Sequence, residues 1–525
     1  MIITRAVHII SRLFADENLT KKAYLNIINS GSAYLVKIAV MFIITPLMVS
    51  GLGNYVYGLW QVINRTMGYI SPASGRPTEA LQWILARDQS SPDLTRKRQY
   101  MASALIVWGI FLPIMVVGGS VIAWFIPAWF NVSPEYVVMV RVTALVMIVS
   151  MVMQILSELP QSILRGENLG YKRMGLTILL TVVGGAGTWL ALELKTGLIG
   201  ISVAALGTII LNAILYITLA RRYVPWFGVS RPPFSQVKEF LGLSVWFMGW
   251  NLIWISMFAT DVVMLGILAT VELVTIYTLN KWVQEILISL TQILVSGIGP
   301  GLGGIIGRGE IKRASDLRGE MLALTWLTTI AVSVTTVIWN QTFLNLWVGP
   351  NNYAGSLGSL LIILAVFQFI MIQSDAGVID VTLRMSEKVI LGAISILITV
   401  GASILFVKVL SLGIVGISLA LIVGRLILSI GYPLIVGRTL HIPFQAQLSG
   451  VIRPMLVTGV LMYAAYRLAM MIPVDLFAGL SGWVSFFLFA LITFVVILFT
   501  SLFLGLNRKQ RSTLFQRVKI ILHVS

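Results

Sequence analysis

Cysteine is absent from the 525-residue sequence, which excludes a disulfide framework and any thiolate metal site. Histidine is almost absent. His8, His441 and His523 fall in terminal or loop segments, so no histidine cluster for zinc can form. Charge is also scarce, at 11% of residues, where a soluble domain uses about 25% to cover its surface. No P-loop, no GxGxxG cradle and no His-Glu metal motif is present. The loops between apolar runs are too short to hold an ATPase domain. No cofactor is expected, and the chain does not read as an enzyme. Active transport would draw on an H+ or Na+ gradient or on the membrane potential, unless consumption of substrate outside sets the direction.

What the sequence has in excess is apolar length. Hydrophobic residues make up 58% and mean hydropathy is +0.93. Runs of membrane-crossing length lie near 25–49, 55–76, 101–126, 136–159, 174–192, 197–220, 240–266, 273–298, 318–339, 356–380, 388–408, 412–436, 453–472 and 483–506. The expectation is an all-α polytopic membrane protein with about 14 transmembrane helices, each long enough for a ~30 Å hydrocarbon core.

The net charge of +17 has the size of a nucleic-acid binder's, but its distribution is different. Basic residues gather in alternate short loops: Lys21 and Lys22, Arg96 to Arg98, Arg165 with Lys172 and Arg173, Arg221 to Lys238, Arg308 to Arg313, Arg384 with Lys388, and Arg438. The tail adds Arg508, Lys509, Arg511, Arg517 and Lys519. The intervening loops carry little beyond Lys195 and Lys408. This is the positive-inside pattern, which places both termini in the cytoplasm and leaves nucleic acid without a role. No cleavable signal peptide is apparent. Residues 1–24 set Ile2, Ile3, Val7, Ile10 and Leu13 near one helical face, which suits either a helix lying on the cytoplasmic membrane surface or a frayed terminus. The outer loops 128–136 and 343–353 are aromatic, and Trp129, Tyr136, Trp347 and Tyr353 suit the interfacial belt.

Those two loops also carry a repeat. Pro134 and Pro350 lie 350 − 134 = 216 residues apart. GLIGIS at 197–202 is echoed by GIVGIS at 413–418 with the same separation, and ILRGE at 163–167 by TLRMSEK at 382–388. The first twelve crossings therefore read as two six-helix bundles of one topology, parallel because each holds an even number of helices. The boundaries expected are 1–24 for the N-terminal segment, 25–222 for the N-lobe and 223–239 for a cytoplasmic linker. The C-lobe takes 240–440, two appended helices 441–507 and a basic tail 508–525.

Charges inside apolar runs are the candidate functional residues, because one at the bilayer centre costs at least about 2.5–3.5 kcal/mol. Lys37 and Arg65 lie at similar depth, within roughly 5 Å, on the first two crossings, which meet in a tight outer turn at residues 50–54. Neither has an acidic neighbour within a helical turn, so they face a watery cavity or neutralise an acid on another helix, such as Glu158. The repeat carries Arg65 onto Lys281, which can pair with Glu285 four residues on or with Asp261 on the preceding crossing. Such a pair is either fixed structure or a breakable gate. Asp380 is expected to pair with Arg384, whereas Asp375 and Glu158, its rough counterpart, are candidates for proton or cation coupling. Arg425 fits a cavity or an interhelix pair equally. In SPASGRPTEA (71–80), Pro72, Gly75 and Pro77 predict a kink or a helix end, with Arg76 and Glu79 able to pair across it. Tyr34, Trp60, Tyr69, Trp246, Trp250, Trp254 and Trp282 gather on four helices. The Trp246, Trp250 and Trp254 stripe suits sugar stacking or ordinary helix and lipid contact.

Together INSGSAYLVK (28–37), ITPLMVSGLGNYVYGLW (44–60), ILRGEN (163–168) and the GLIGIS/GIVGIS pair resemble the Wzx-type polysaccharide repeat-unit flippases of the multidrug/oligosaccharidyl-lipid/polysaccharide (MOP) exporter superfamily. The resemblance implies two six-helix lobes facing each other in a V, alternating access, and a substrate of undecaprenyl diphosphate carrying an oligosaccharide. Lipid II flippases of that superfamily place cations on the first two helices, a role that Lys37 and Arg65 match here, Lys37 as a point charge without bidentate geometry. On this reading Lys37, Arg65 and Lys281, with Tyr34, Trp60, Tyr69, Trp250 and Trp254, bind substrate. Asp261, Glu285, Asp375, Glu158, Arg76 and Glu79 couple or gate. The expected partners are the lipid-linked oligosaccharide, membrane lipids, and a polysaccharide polymerase with its chain-length machinery. The chain is expected to be monomeric, in a bacterial inner membrane. The alternatives are a cation-coupled multidrug exporter of the same fold, a lipid II flippase, or a membrane-embedded glycosyltransferase or polymerase. The last would normally show long outer loops, and these are short.

Overall fold

The computed structural model describes residues 19–88, 91–173, 175–382, 385–472 and 479–522. The proposed surface helix at 1–24 thus falls almost wholly outside the described residues, as does Arg384. The fold is helical, with no strand among the described residues. In chain order the helices are α1 (Leu19–Gly68), α2 (Pro77–Arg87), α3 (Leu94–Trp129), α4 (Val137–Gly166), α5 (Leu176–Glu193), α6 (Gly197–Tyr223) and α7 (Phe234–Leu268). They continue as α8 (Val271–Gly307), α9 (Ile311–Val348), α10 (Gly355–Thr382), α11 (Met385–Ser403) and α12 (Gly413–Thr439). Last come α13 (Phe444–Ala469), α14 (Gly479–Gly505) and α15 (Arg508–Leu522). In hydrocarbon every backbone N–H and C=O must be satisfied within the segment, and long apolar runs meet that demand as helices. Twelve helices among the described residues are long and apolar enough to cross a membrane, so the protein is a multi-pass membrane protein.

The first two expected crossings share α1. Gly53, at φ 77° and ψ 164°, is its one non-helical residue, a conformation that glycine reaches without steric cost. The chain reverses there. Before Gly53, α1 runs parallel to α5, since Val40 packs on Gly185 and Gly51 on Leu192. After it, the Tyr55 hydroxyl accepts the Ser133 N–H at 3.0 Å, while Ile70 packs on Gly118 and Gly75 on Phe111. The second half therefore runs antiparallel to α3.

The 216-residue repeat recurs in the backbone itself. The 3-10 turns Pro134–Tyr136 and Pro350–Asn352 match, as do α6 and α12, both 27 residues long. Lys195 and Ser411, just before those helices, are left-handed at φ 53° and 52°. Tyr216 and Tyr432 are each buried to 1% exposure. Asn64 donates to the Trp60 carbonyl and Asn280 to that of Ile276, the same contact at the same separation.

The chain divides into two compact units, one ending at Ile255 and one starting at Ser256. The division falls inside α7, beyond the linker 223–239. That linker belongs with the first unit. Trp226 Nε1 donates to Glu167 at 3.0 Å, Arg98 Nε donates to the Trp226 carbonyl, and the buried Lys97 ammonium pairs with Glu167 at 2.8 Å. Beneath them lies a core of Leu85, Tyr100, Ile163, Tyr216 and Phe240. The Glu of the ILRGE motif is thus the anchor for the linker.

In the second unit, Trp347 is buried rather than set in an interfacial belt. Its ring lies tilted against Trp282 and stacks with Phe343, and Trp483 and Phe486 of α14 pack on Phe343. Trp129 by contrast is exposed.

Candidate functional site: charges within the helical bundle

Lys37 sits on the first half of α1. Its side chain is exposed, and it makes no hydrogen bond or ion pair with any described residue. Arg65, on the returning half, is half-buried, as are Tyr34, Trp60 and Tyr69. All five expected binding residues on α1 therefore keep some surface. Trp254 is also half-buried, while the side chains of Trp246 and Trp250 lie outside the described residues.

Lys281 is in a different state. Its ammonium is buried against Asp261, with Glu285 at 3.7 Å. Asp261 also accepts the Tyr277 hydroxyl and the Val262 N–H, each at 2.8 Å. The neighbouring match of Asn64 to Asn280 fixes the register, so Lys281 is the counterpart of Arg65, yet it is enclosed in an ion-pair network. A charge pair so buried and hydrogen-bonded is costly to open, because separating it leaves an uncompensated ion. Arg425, unassigned by sequence, donates to the Ala365 and Met257 carbonyls and lies over the Phe369 ring at 4.7 Å.

Two further pairings are not given by helical spacing. Asp375 lacks a local partner in sequence, but its two oxygens accept Nε and Nη2 of Arg318 at 2.8 and 2.9 Å. Both side chains are buried. This is the bidentate fork geometry of guanidinium and carboxylate. The two residues stand on α9 and α10, so helical spacing gives no sign of it. Asp380 pairs with Lys388, and its expected partner Arg384 lies outside the described residues. Lys388 reads as a loop cation, yet it is fully buried and also donates to the Ala376 carbonyl at 3.3 Å.

The first unit holds the remaining polar feature. A cavity of about 60 Å³ is lined by Ser71, Ser74, Arg76, Pro77 and Thr78 at the end of α1 and start of α2, by Trp108 and Met115 of α3, and by Met151, Gln154, Ile155 and Glu158 of α4. Arg76 is ion-paired with Glu79 three residues on. Glu158 accepts from Thr78 Oγ1 at 3.3 Å and from Gln154 Nε2 at 3.1 Å, and has no cation partner among the described residues. The backbone breaks here as the prolines predict. Gly75 and Arg76 are consecutively left-handed, at φ 75° and 48°, and Pro77 opens α2 at a position where its missing N–H costs nothing. Burial pushes the Glu79 carboxyl above its usual 4.5, while Arg76 pulls it down. Among the described residues no group of three His, Cys, Asp or Glu is placed to hold a metal ion.

No protein-family profile matches the sequence, and no curated protein does. Solved structures do. The chain is similar to a structure described as "Lipid II flippase MurJ, inward closed conformation", with TM-score 0.66 at 13% identity over 91% of this chain and 98% of that one. It is similar to an inward-facing multidrug resistance MATE family transporter of the MOP superfamily, with TM-score 0.61 at 15% identity over 78% and 94%. A MOP superfamily transporter from Pyrococcus furiosus, described as having a binding pocket of reverse polarity, gives 0.55 at 15% over 79% and 95%. The chain has the MurJ- and MATE-like fold.

Proposed function

We propose that this protein is a flippase that moves an undecaprenyl-diphosphate-linked oligosaccharide, a polysaccharide repeat unit, from the cytoplasmic to the outer leaflet by alternating access. The observation that carries the reading is Lys37, an exposed cation on an apolar helix with no counter-ion among the described residues. A charge left in that state is paid for by binding an anion, and a pyrophosphate between lipid and sugar is the anion this reading assigns. Arg65 stands on the returning half of the same helix, and Tyr34, Trp60 and Tyr69 offer partly open rings for sugar faces. The likeness to a lipid II flippase and to MOP transporters supports transport rather than catalysis. Lys281, enclosed by Asp261 and Glu285, takes a structural part in this account. A bacterial inner membrane with both termini cytoplasmic completes the proposal, with a gradient or the membrane potential supplying direction.

The cation-coupled drug exporter is less well supported. Asp261 and Asp375 are neutralised by Lys281 and Arg318, so they offer no acidic drug site. The test is surface polysaccharide in cells deleted for the gene and complemented with wild type, Lys37→Ala or Arg65→Ala. Loss of polymer with intermediates held on the cytoplasmic leaflet, rescued by wild type alone, is the expected result. Normal polymer in the deletion with altered sensitivity to cationic drugs, or with peptidoglycan precursors accumulating, would overturn it in favour of the exporter or the lipid II flippase.

A further inference from the structure

The break between α1 and α2 is built differently from any other helix junction among the described residues. Two consecutive residues, Gly75 and Arg76, are left-handed. For a side chain such as arginine that conformation carries strain, of order 1–3 kcal/mol. Arg76 occupies the N-cap of α2 without making a side-chain cap. Its guanidinium instead reaches forward to Glu79, bracing the first turn. That single contact leaves Arg76 Nε buried with no acceptor.

Glu158, across the cavity on α4, is in the complementary state. Each of its oxygens has one neutral donor, Thr78 or Gln154. A carboxylate offers about four acceptor positions, so it has capacity for a guanidinium. Glu158 acts electrostatically on Glu79, as does Arg165 from α4. From α3 the cavity is faced by Trp108 and Met115, which carry no charge, and from the 3-10 turn by Ser71 and Ser74. Arg76 is therefore the one cation among the residues that line the cavity, with an orphaned donor on it and unfilled capacity on Glu158. We infer that Arg76 is a proton-operated latch: protonation of Glu79 hands the guanidinium over to Glu158, releasing the brace on the first turn of α2.

The hand-over follows from counting donors and acceptors. A neutral Glu79 no longer holds a positive charge, while Glu158 lines the same cavity with acceptor capacity unfilled. Moving there gives Arg76 a second carboxyl acceptor and frees the helix break to change. Burial outweighs the help of Arg76 and raises the Glu79 carboxyl from its ordinary value, so the switch lies above that value. The latch stands independently of which lipid-linked substrate is carried, and its failure would leave that reading untouched.

The absence of cysteine makes a single reporter straightforward. Met151 lines the cavity and has no hydrogen-bonding role. Met151→Cys is labelled with a trifluoromethyl thiol reagent, and its 19F shift is followed from pH 4 to pH 8 in detergent. The expected result is one titration with a midpoint above 4.5, abolished in Glu79→Gln, which stays at the low-pH position throughout. In Glu158→Gln the low-pH position is never reached, because the second acceptor is gone. Thr78→Val takes a donor from Glu158, makes it a stronger acceptor for Arg76, and moves the midpoint upward. An unchanged titration in Glu79→Gln, wild-type end points in Glu158→Gln, or an unmoved midpoint in Thr78→Val would each overturn the latch, as would a flat wild-type profile.

Discussion

At matched positions of the repeat, the two units treat charge inside the helical bundle differently. In the second unit Asp261, Lys281, Arg318 and Asp375 are buried in pairs. The positions 216 residues earlier hold Thr45, Arg65, Ala102 and Leu159, so three of the four charges have no counterpart. What the first unit keeps at these positions is a cation, Arg65. It adds Lys37, where the repeat has Ile253 at the corresponding place. It also keeps Glu158, one residue away from the match to Asp375, with neutral donors where the second unit has an arginine. A pair of buried opposite charges organises packing and binds nothing. A charge with no counter-ion among the described residues, as at Lys37, is available to a ligand. The proposed function accordingly rests on the first unit.

The sharpest break in that comparison is to open a pair. Asp375→Ala leaves the Arg318 guanidinium buried and alone, and a loss of about 3–5 kcal/mol is expected, read as a collapse of the melting temperature in detergent. Arg318→Met with Asp375→Leu removes both charges together. It should recover most of that stability, and a framework role further requires that it export normally. Lys37→Ala should do the reverse. Stability stays within about 0.5 kcal/mol of wild type, while polysaccharide export falls by about 10-fold or more, as losing a charge-assisted contact of about 1.5–3 kcal/mol implies.

A smaller test converts one unit toward the other. Thr45→Asp places an acid where Asp261 stands in the repeat. It should lower export by adding a carboxylate that competes for Arg65 while leaving the protein folded, measured by size-exclusion profile and polymer yield. The smallest effect concerns pH. Glu79 titrates above its unfolded value of 4.5 through burial, so the folded state holds its proton more tightly than the unfolded. Its contribution to stability is fully present below 4.5 and is lost as pH rises through the folded value. Glu79→Gln should thus raise the melting temperature slightly at pH 7 and leave it unchanged at pH 4, checked by parallel thermal scans.

Much of the architecture is legible in the sequence because it depends on local pattern. Apolar run length marks the crossings, the prolines at 72 and 77 mark the helix break, and the Pro134/Pro350 and GLIGIS/GIVGIS separations mark a repeat that the backbone reproduces in α6 and α12. The ion pairs are mostly not legible. Arg318 and Asp375 are 57 residues apart, and nothing in helical periodicity links residues on α9 and α10. Lys388 and Lys97 read as loop cations because each stands near the end of an apolar run, yet both are buried. The available signal was balance. Asp375 and Asp380 lie in apolar sequence, each must be neutralised there, and a search of every cation near the same end of the bundle would have included Arg318 and Lys388. Trp347 shows a related limit, since its ring packs on Trp282 of α8, which periodicity within α9 does not link to it.

The most direct test of the account is transbilayer movement of an undecaprenyl-diphosphate-linked oligosaccharide in proteoliposomes, comparing wild type with Lys37→Ala at matched thermal stability. The account predicts that wild type flips the lipid and that Lys37→Ala is slower by about 10-fold or more. Equal rates in the two proteins would contradict it, because an exposed cation with no counter-ion would then have no part in binding the substrate.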